Sequence, residues 1–432
     1  MRIEVEFISK QLIKPSSPTP NHHNHLQLSF LDQIQPPISM PFLLFYSQNS
    51  TISSSQRSKL LQKSLSEALT LFYPLAGRIK NNSHVDCNDE GVLFIEAKAN
   101  CNLSDILQNR NNLHNFKFVP IEPDEAGDLG ASFQVTFFNC GGFGVSFAMS
   151  HKLGDALSQF IFLNCWAAVA RGIDLRDIEI PSFGSADLFP PKDLSGLEVS
   201  KWVFKEKIVT KVFVFDASTI AALEAKYSLS RVQALAAFIW SRFMAVAQAK
   251  QGNKQYMMIH AVNLRPRMAP PMPEQSFGNL CRFAAAEADM EAKEDECYGI
   301  VKKMKDSIRN VNLEYVHNLR KSDEHLKFLK ERSIKVSKGE VVRYSFTSLC
   351  NFPIYEVDFG WGKPEWVVSG GMFFKNLVIF LDTKEGNGIE AWICLKEEDM
   401  TLFEIDKQLL AHVVSSPNGN PKKLKFTPRS RF

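Results

Sequence analysis

The stretch Phe143-Gly-Val-Ser-Phe-Ala-Met-Ser-His151-Lys-Leu-Gly-Asp155-Ala-Leu-Ser-Gln-Phe160 decides how the rest of the chain is read. Phe143 to Met149 reads as a strand, and Ser132 to Phe138 as the strand before it. Asn139-Cys-Gly-Gly142 between them is a hairpin signature. From Gly154 to Ala170 the pattern changes: Ala156, Phe160, Leu163, Trp166 and Ala167 recur at helical spacing, and Gly172 lies just past the end. His151 therefore stands where a strand hands over to a helix, with a carboxylate four residues later. A general base needs a pKa near neutrality, which an imidazole has unperturbed. Asp155 either orients that ring directly or stiffens the corner by pairing with an arginine elsewhere.

Upstream of this corner, Leu60, Leu61, Leu65, Leu69 and Phe72 give a helix over Gln56 to Phe72 that Pro74 ends, and Val92 to Glu96 is a strand. Downstream, Pro181 to Gly196 has Pro190-Pro191 and two glycines and reads as an exposed crossover linker. This divides the chain into a first domain at 1–180, a linker at 181–200 and a second domain at 201–417. The second half offers strands at Trp202 to Phe215, Met257 to Asn263, Ser345 to Cys350 and Phe373 to Leu381, and helices at Val232 to Ala247 and Leu402 to Leu410. Glu291 to Arg332, with alternating charge, reads as a solvated surface helix pair. The tail 418–432, rich in Pro, Lys and Arg, reads as disordered. Strands interleaved with helices place the chain in the α/β class.

Composition removes several function classes. Fifty Lys plus Arg against 47 Asp plus Glu leave a net charge of +3 over 432 residues, too little for a nucleic-acid footprint. The most apolar long stretch, Val232 to Ala249, is broken by Gln233, Ser241, Arg242 and Gln248, which is wrong for a membrane span. Met1 to Lys10 alternates polar and apolar residues and resembles a first strand more than a secretion signal. None of the eight cysteines forms a Cys-x-x-Cys pair, which suits reduced, buried thiols of a cytoplasmic protein. No metal is expected: His151 with Asp155 has no third ligand spaced to close a site, and His22, His23 and His25 lie in a Pro- and Asn-rich stretch that reads as loop. Ser150 beside His151 has no Gly-x-Ser-x-Gly elbow around it, which argues against a serine hydrolase.

About half a chance occurrence of His-x-x-x-Asp is expected in a chain of this composition, so the corner alone is weak. A second group is harder to obtain by accident: Tyr355-Glu-Val-Asp358-Phe-Gly360-Trp361-Gly362-Lys-Pro364. Two glycines flanking an aromatic, with a proline soon after, demand a tight irregular turn that Asp358 can clamp by local hydrogen bonds.

Together, His151-Lys-Leu-Gly-Asp155 and Asp358-Phe-Gly-Trp-Gly362 resemble the two signatures of the plant BAHD acyl-CoA-dependent acyltransferases. Leu28-Ser-Phe-Leu-Asp32, Phe72-Tyr-Pro-Leu-Ala-Gly-Arg78, Ser230-Arg231-Val, Asn263-Leu-Arg265 and Phe277-Gly-Asn279 follow in family order, and Lys14 to Pro20 is similar to the alkaloid-acetylating branch. The resemblance implies two chloramphenicol-acetyltransferase-like domains with mixed sheets and a channel between them. It implies His151 as the base in direct transfer from an acyl-CoA, acetyl-CoA above all, to a hydroxyl of a polycyclic alkaloid. No cofactor is held permanently, and the enzyme is expected to be a cytoplasmic monomer. Malonyl or other acyl transfer to a non-alkaloid alcohol or amine, or a catalytically silent binding protein, are the alternatives. By the same carry-over Asp155 pairs with Arg265, and the loop of Asp358, Gly360, Trp361 and Gly362 is structural. Ser230, Arg231 and Asn279 contact CoA, and Thr347 with Leu349 lines the acceptor pocket. Many members have Trp at the position of Leu349; if that Trp steadies the oxyanion or shapes the pocket, this enzyme must rely on Thr347, a backbone N–H or water, or accept a bulkier substrate.

Overall fold

A computed structural model describes residues 3–49, 52–110, 117–197, 208–249, 255–288, 297–369 and 374–414. Two six-stranded mixed sheets dominate it. The first runs Val5–Ile13, Val92–Ala99, Ala131–Phe137, Phe143–Ser150, Ser39–Tyr46 and Trp366–Ser369, antiparallel except for the Val92–Ala99/Ala131–Phe137 pair. Every residue of Phe143–Ser150 and Ser39–Tyr46 is buried, as expected of inner strands covered on both faces. The helices Ser54–Leu71 and Ala156–Ala170 pack against one another on this sheet. Trp166 Nε1 joins them by donating to Leu61 O at 3.2 Å and Ser64 Oγ at 3.0 Å. Ser53 and Gln56 start the first of these helices with a reciprocal capping box.

The second sheet runs Cys281–Ala288, Gln255–Asn263, Val341–Ser348, Leu377–Asp382, Ile389–Lys396 and Ile208–Phe215, with Val341–Ser348 parallel to both neighbours. The helix Arg231–Ala249 packs on it through Leu235, Ile239, Trp240 and Phe243. A three-stranded sheet of His25–Gln27, His84–Asp86 and Arg78–Lys80 completes the set.

Four readings of the sequence need correction. The segment 181–197 connects the two halves but is only partly exposed: it carries a short helix, Ser185–Leu188, and Phe189 is buried in one cluster with Phe30 and Leu31. The second domain, 201–417, supplies all six strands of the second sheet but does not keep every strand to itself. Trp366–Ser369 crosses back to pair with Phe42 to Phe45, because Trp366 fills space between Phe45 and Trp392. The charged region holds three described helices, Cys297–Asn310, Leu313–Lys321 and Glu324–Ser337, and the last turns Phe328, Leu329 and Val336 inward. The late helix is two, Glu397–Phe403 and Lys407–His412, because Asp406 caps the second through Leu409 N. Residues 202–207, 291–296 and the tail 418–432 lie outside the described residues.

Candidate active site

Between the two large sheets lies a cavity of about 460 Å³. His151 and Asp155 reach it from the first sheet's corner. Met257, Ile259, Arg343, Thr347 and Leu349 reach it from the second sheet, with Ile34 and Met40 closing one side.

Asp155 caps the helix Ala156–Ala170 and does not hydrogen-bond His151. Oδ1 accepts from Ser158 N and Ser158 Oγ, each at 3.0 Å, and from Arg265 Nη2 at 3.1 Å. Oδ2 accepts from Arg265 Nη1 at 2.8 Å and Leu280 N at 3.1 Å. Burial would raise this carboxyl, but the Arg265 charge and the hydrogen bonds of Arg265 and Ser158 outweigh it and hold the pKa below its ordinary value. Arg265 also donates through Nε and Nη2 to Ser276 O at 3.0 and 2.9 Å. The carboxylate thus ties the His151 corner to the second half of the chain.

Asn279, expected at CoA, is fully buried and serves the same corner. Its Nδ2 donates to His151 O at 2.7 Å and to Asp32 Oδ1 at 2.8 Å, so no donor is left for a phosphate. Asp32 accepts further from Asn279 N, Ser29 N and Ser29 Oγ; burial still leaves its pKa raised. Leu28 to Asp32 and Phe277 to Asn279 lie so far apart in the chain that the sequence carries no sign of this contact.

The His151 ring is enclosed on its Nδ1 side, where neither Nδ1 nor Asn279 Oδ1 has a hydrogen-bond partner among the described residues. Burial lowers its pKa to about 4, against the opposing pull of its own backbone carbonyl, Asp155 and Asn279. The imidazole is neutral at physiological pH and holds a free lone pair. Lys152, which is buried, donates from Nζ to Gln33 O at 2.8 Å, and burial lowers its pKa to about 8.

Ser230, at the start of the helix Arg231–Ala249, is exposed, and Arg231 Nη2 lies 3.4 Å from Asp382 Oδ1; neither residue lines the cavity. Leu349 does line it, but its N–H donates to Phe380 O at 2.8 Å and is not available to an oxyanion.

The Asp358 loop stands apart: none of residues 358–362 lines the cavity. Asp358 Oδ1 accepts from Gly360 N at 2.7 Å and Gly362 N at 2.9 Å. Both glycines have φ near +95°, at +95° and +97°, a region side chains disfavour. Arg171 donates to Asp358 O, Tyr46 Oη donates to Val357 O at 2.9 Å, and Trp361 packs edge-on to Phe143 under the Arg57 guanidinium. The turn is clamped by its own carboxylate and clipped to the first sheet's core.

Residues 3–410 match the model of the Transferase family. The limonoid 7-O-acetyltransferase of Citrus sinensis is 37% identical, the alignment covering 96% of this chain and 99% of that one. Stemmadenine O-acetyltransferase of Catharanthus roseus is 37% identical over 94% and 97% of the two chains. Vinorine synthase of Rauvolfia serpentina is 36% identical over 94% and 97%. The crystal structure of vinorine synthase superposes with a TM-score of 0.83, covering 96% of this chain and 100% of the other. The family match over residues 3–410 and these relatives over nearly their whole length show that the chain belongs to the Transferase family of BAHD enzymes and is an acyl-CoA-dependent O-acyltransferase.

Proposed function

We propose that this enzyme moves an acetyl group from acetyl-CoA to a hydroxyl of a polycyclic specialised metabolite, with His151 as general base. The observation that carries the reading is a neutral, half-buried imidazole that faces an inter-sheet cavity from a rigid corner. With Nδ1 enclosed, Nε2 is the nitrogen that accepts the acceptor's proton. The freed alkoxide attacks the thioester carbonyl; a tetrahedral oxyanion forms and collapses, the C–S bond breaks, and the proton passes from His151 to the leaving CoA thiolate. Such base catalysis contributes on the order of 10² to 10⁴ in rate. The Thr347 hydroxyl is the donor assigned to the oxyanion, since the Leu349 N–H is committed to its sheet. Asp155, Arg265 and Asn279 position the base without touching substrate.

Acetyl as the donor and a polycycle as the acceptor are supported by the relatives, whose names pair O-acetyl transfer with limonoids and with stemmadenine. The cavity's predominantly apolar lining suits fused rings, alkaloid or limonoid. No described helix is long and apolar enough to cross a membrane. The described cysteines are free thiols, which supports a cytoplasmic location, and a monomer is the proposed state. The test is incubation with acetyl-CoA and a library of polycyclic alcohols. Release of CoA only when acceptor is present supports transfer; release without acceptor means hydrolysis, and no release in any mixture means a binding protein.

A further inference from the structure

Two guanidiniums on the cavity wall have neither a carboxylate partner nor a use in the reaction as derived: Arg282, which meets the His325 ring nitrogen, and Arg343, which meets no side chain among the described residues. Along Val341–Ser348, Tyr344 and Phe346 belong to the second sheet's core, whereas Arg343, Ser345 and Thr347 alternate with them and line the cavity. The helix Glu324–Ser337 covers the Arg343 end. On that helix Arg332 has its charge met: Nη2 is 2.5 Å from Glu287 Oε1, beside Met257, which pairs in register with both Glu287 and Arg343. Arg343 has no such counterpart. Among the described residues no hydrogen bond or ion pair holds its guanidinium, and burial alone acts on it, disfavouring the charge. Asp155 is the one carboxylate among the described lining residues, and Arg265 already has it.

An unanswered guanidinium in an apolar wall is costly, and its planar fork matches a carboxylate in two parallel hydrogen bonds. Four residues of strand separate Arg343 from Thr347, about 13 Å at the usual rise. An anion at Arg343 is therefore one fused-ring skeleton away from a hydroxyl held beside Thr347. We propose that Arg343 is a specificity-determining residue that binds a carboxylate at the far end of the acceptor, so that the acceptor is a polycyclic hydroxy acid. The inference rests on the reading of this cavity as the acceptor's. A protonated amine there would meet Arg343 and no free carboxylate among the described lining residues.

The probes are ursolic acid and lithocholic acid, each a polycyclic 3-hydroxy acid, beside their methyl esters. Binding is read by calorimetry and transfer by CoA release, for wild type, Arg343→Met and Arg343→Lys. The expected result is that each acid exceeds its ester at least tenfold in affinity, and in kcat/KM where turnover occurs. Arg343→Met should bring acid and ester within about twofold while the KM for acetyl-CoA stays within twofold, and Arg343→Lys should keep part of the preference. Equal binding of acid and ester to wild type, or binding of neither, overturns the proposal. So does an Arg343→Met variant that keeps the acid preference but raises the acetyl-CoA KM, which would assign the guanidinium to a CoA phosphate. Failure of the acyltransferase reading would show separately, as no CoA release with any alcohol while the acid-over-ester difference in binding persists.

Discussion

Replacing Asp155 with alanine removes one carboxylate and strands several donors at once. Arg265 keeps its two hydrogen bonds to Ser276 O but loses its only carboxylate partner among the described residues, while its side chain is 4% exposed. Breaking one partner of a buried pair costs roughly 3–5 kcal/mol, because the other charge is left uncompensated. At about 2 °C per kcal/mol for a large domain, the apparent Tm should fall by roughly 6–10 °C. Activity should fall with it, since the His151 corner is held to the second half through this pair. The double replacement Asp155→Leu with Arg265→Met leaves no stranded charge and should melt above Asp155→Ala. The pH dependence has a defined sign. The folded pKa of Asp155 lies below its ordinary 3.8, so its contribution is present above that value and is lost as pH falls through the folded pKa. The difference in Tm between wild type and Asp155→Ala should therefore shrink in strong acid. Differential scanning calorimetry across pH, with kcat measured on the same samples, tests both parts. An unchanged Tm with activity abolished would refute the reasoning and give the carboxylate a direct role at the ring.

His151→Ala should retain less than about a tenth of wild-type kcat with secondary structure intact by circular dichroism. Because burial holds His151 near a pKa of about 4, the acidic limb of kcat/KM should fall near that value, and a limb at 6.5 would contradict a desolvated base. Protonating this ring on unfolding favours the unfolded state between the two pKa values, so wild-type stability should decline as pH drops from about 6.5 towards 4, and His151→Ala should lack that decline. Asp358→Ala loses the two hydrogen bonds to Gly360 and Gly362 and should cost about 1–3 kcal/mol, seen as a lower Tm or poorer CoA use, with the pH limb unmoved. Leu349→Trp adds an indole to the cavity wall and should lower kcat/KM for a polycyclic acceptor by about tenfold or more while the acetyl-CoA KM stays constant. Undiminished use of that acceptor would place residue 349 away from it.

The His151 corner was legible because everything that makes it is local: a hairpin, a period change and a cap within about two dozen residues. The turn at Asp358 was legible for the same reason, since its two positive-φ glycines and its clamping carboxylate lie within five residues. What could not be read were the partners that meet the corner from a distance. Asn279 is placed at CoA by the resemblance alone, and nothing local to Phe277-Gly-Asn279 points to its partner Asp32, which is 247 positions away. The inward face of Glu324–Ser337 was hidden by its charges: a helix that borders a cavity needs only a few apolar residues, here Phe328, Leu329 and Val336, and shows no continuous stripe. Trp366–Ser369, four residues long, gives too short a pattern to reveal that it belongs to the other sheet.

That last strand has a consequence for how the protein comes into being. Ser39–Tyr46, every residue of which ends up buried, is made early, yet its outer neighbour is synthesised more than 300 residues later. Until then the nascent first half presents an apolar strand with unpaired backbone groups, the kind of edge on which other chains can add. Closing that edge couples the two halves into one folding unit through a contact of very long sequence separation, which is slow to form. Cutting the chain at 181–200 would not release two finished domains: the first piece would lack its sixth strand, and the second would carry Trp366 with no Phe45 to stack on.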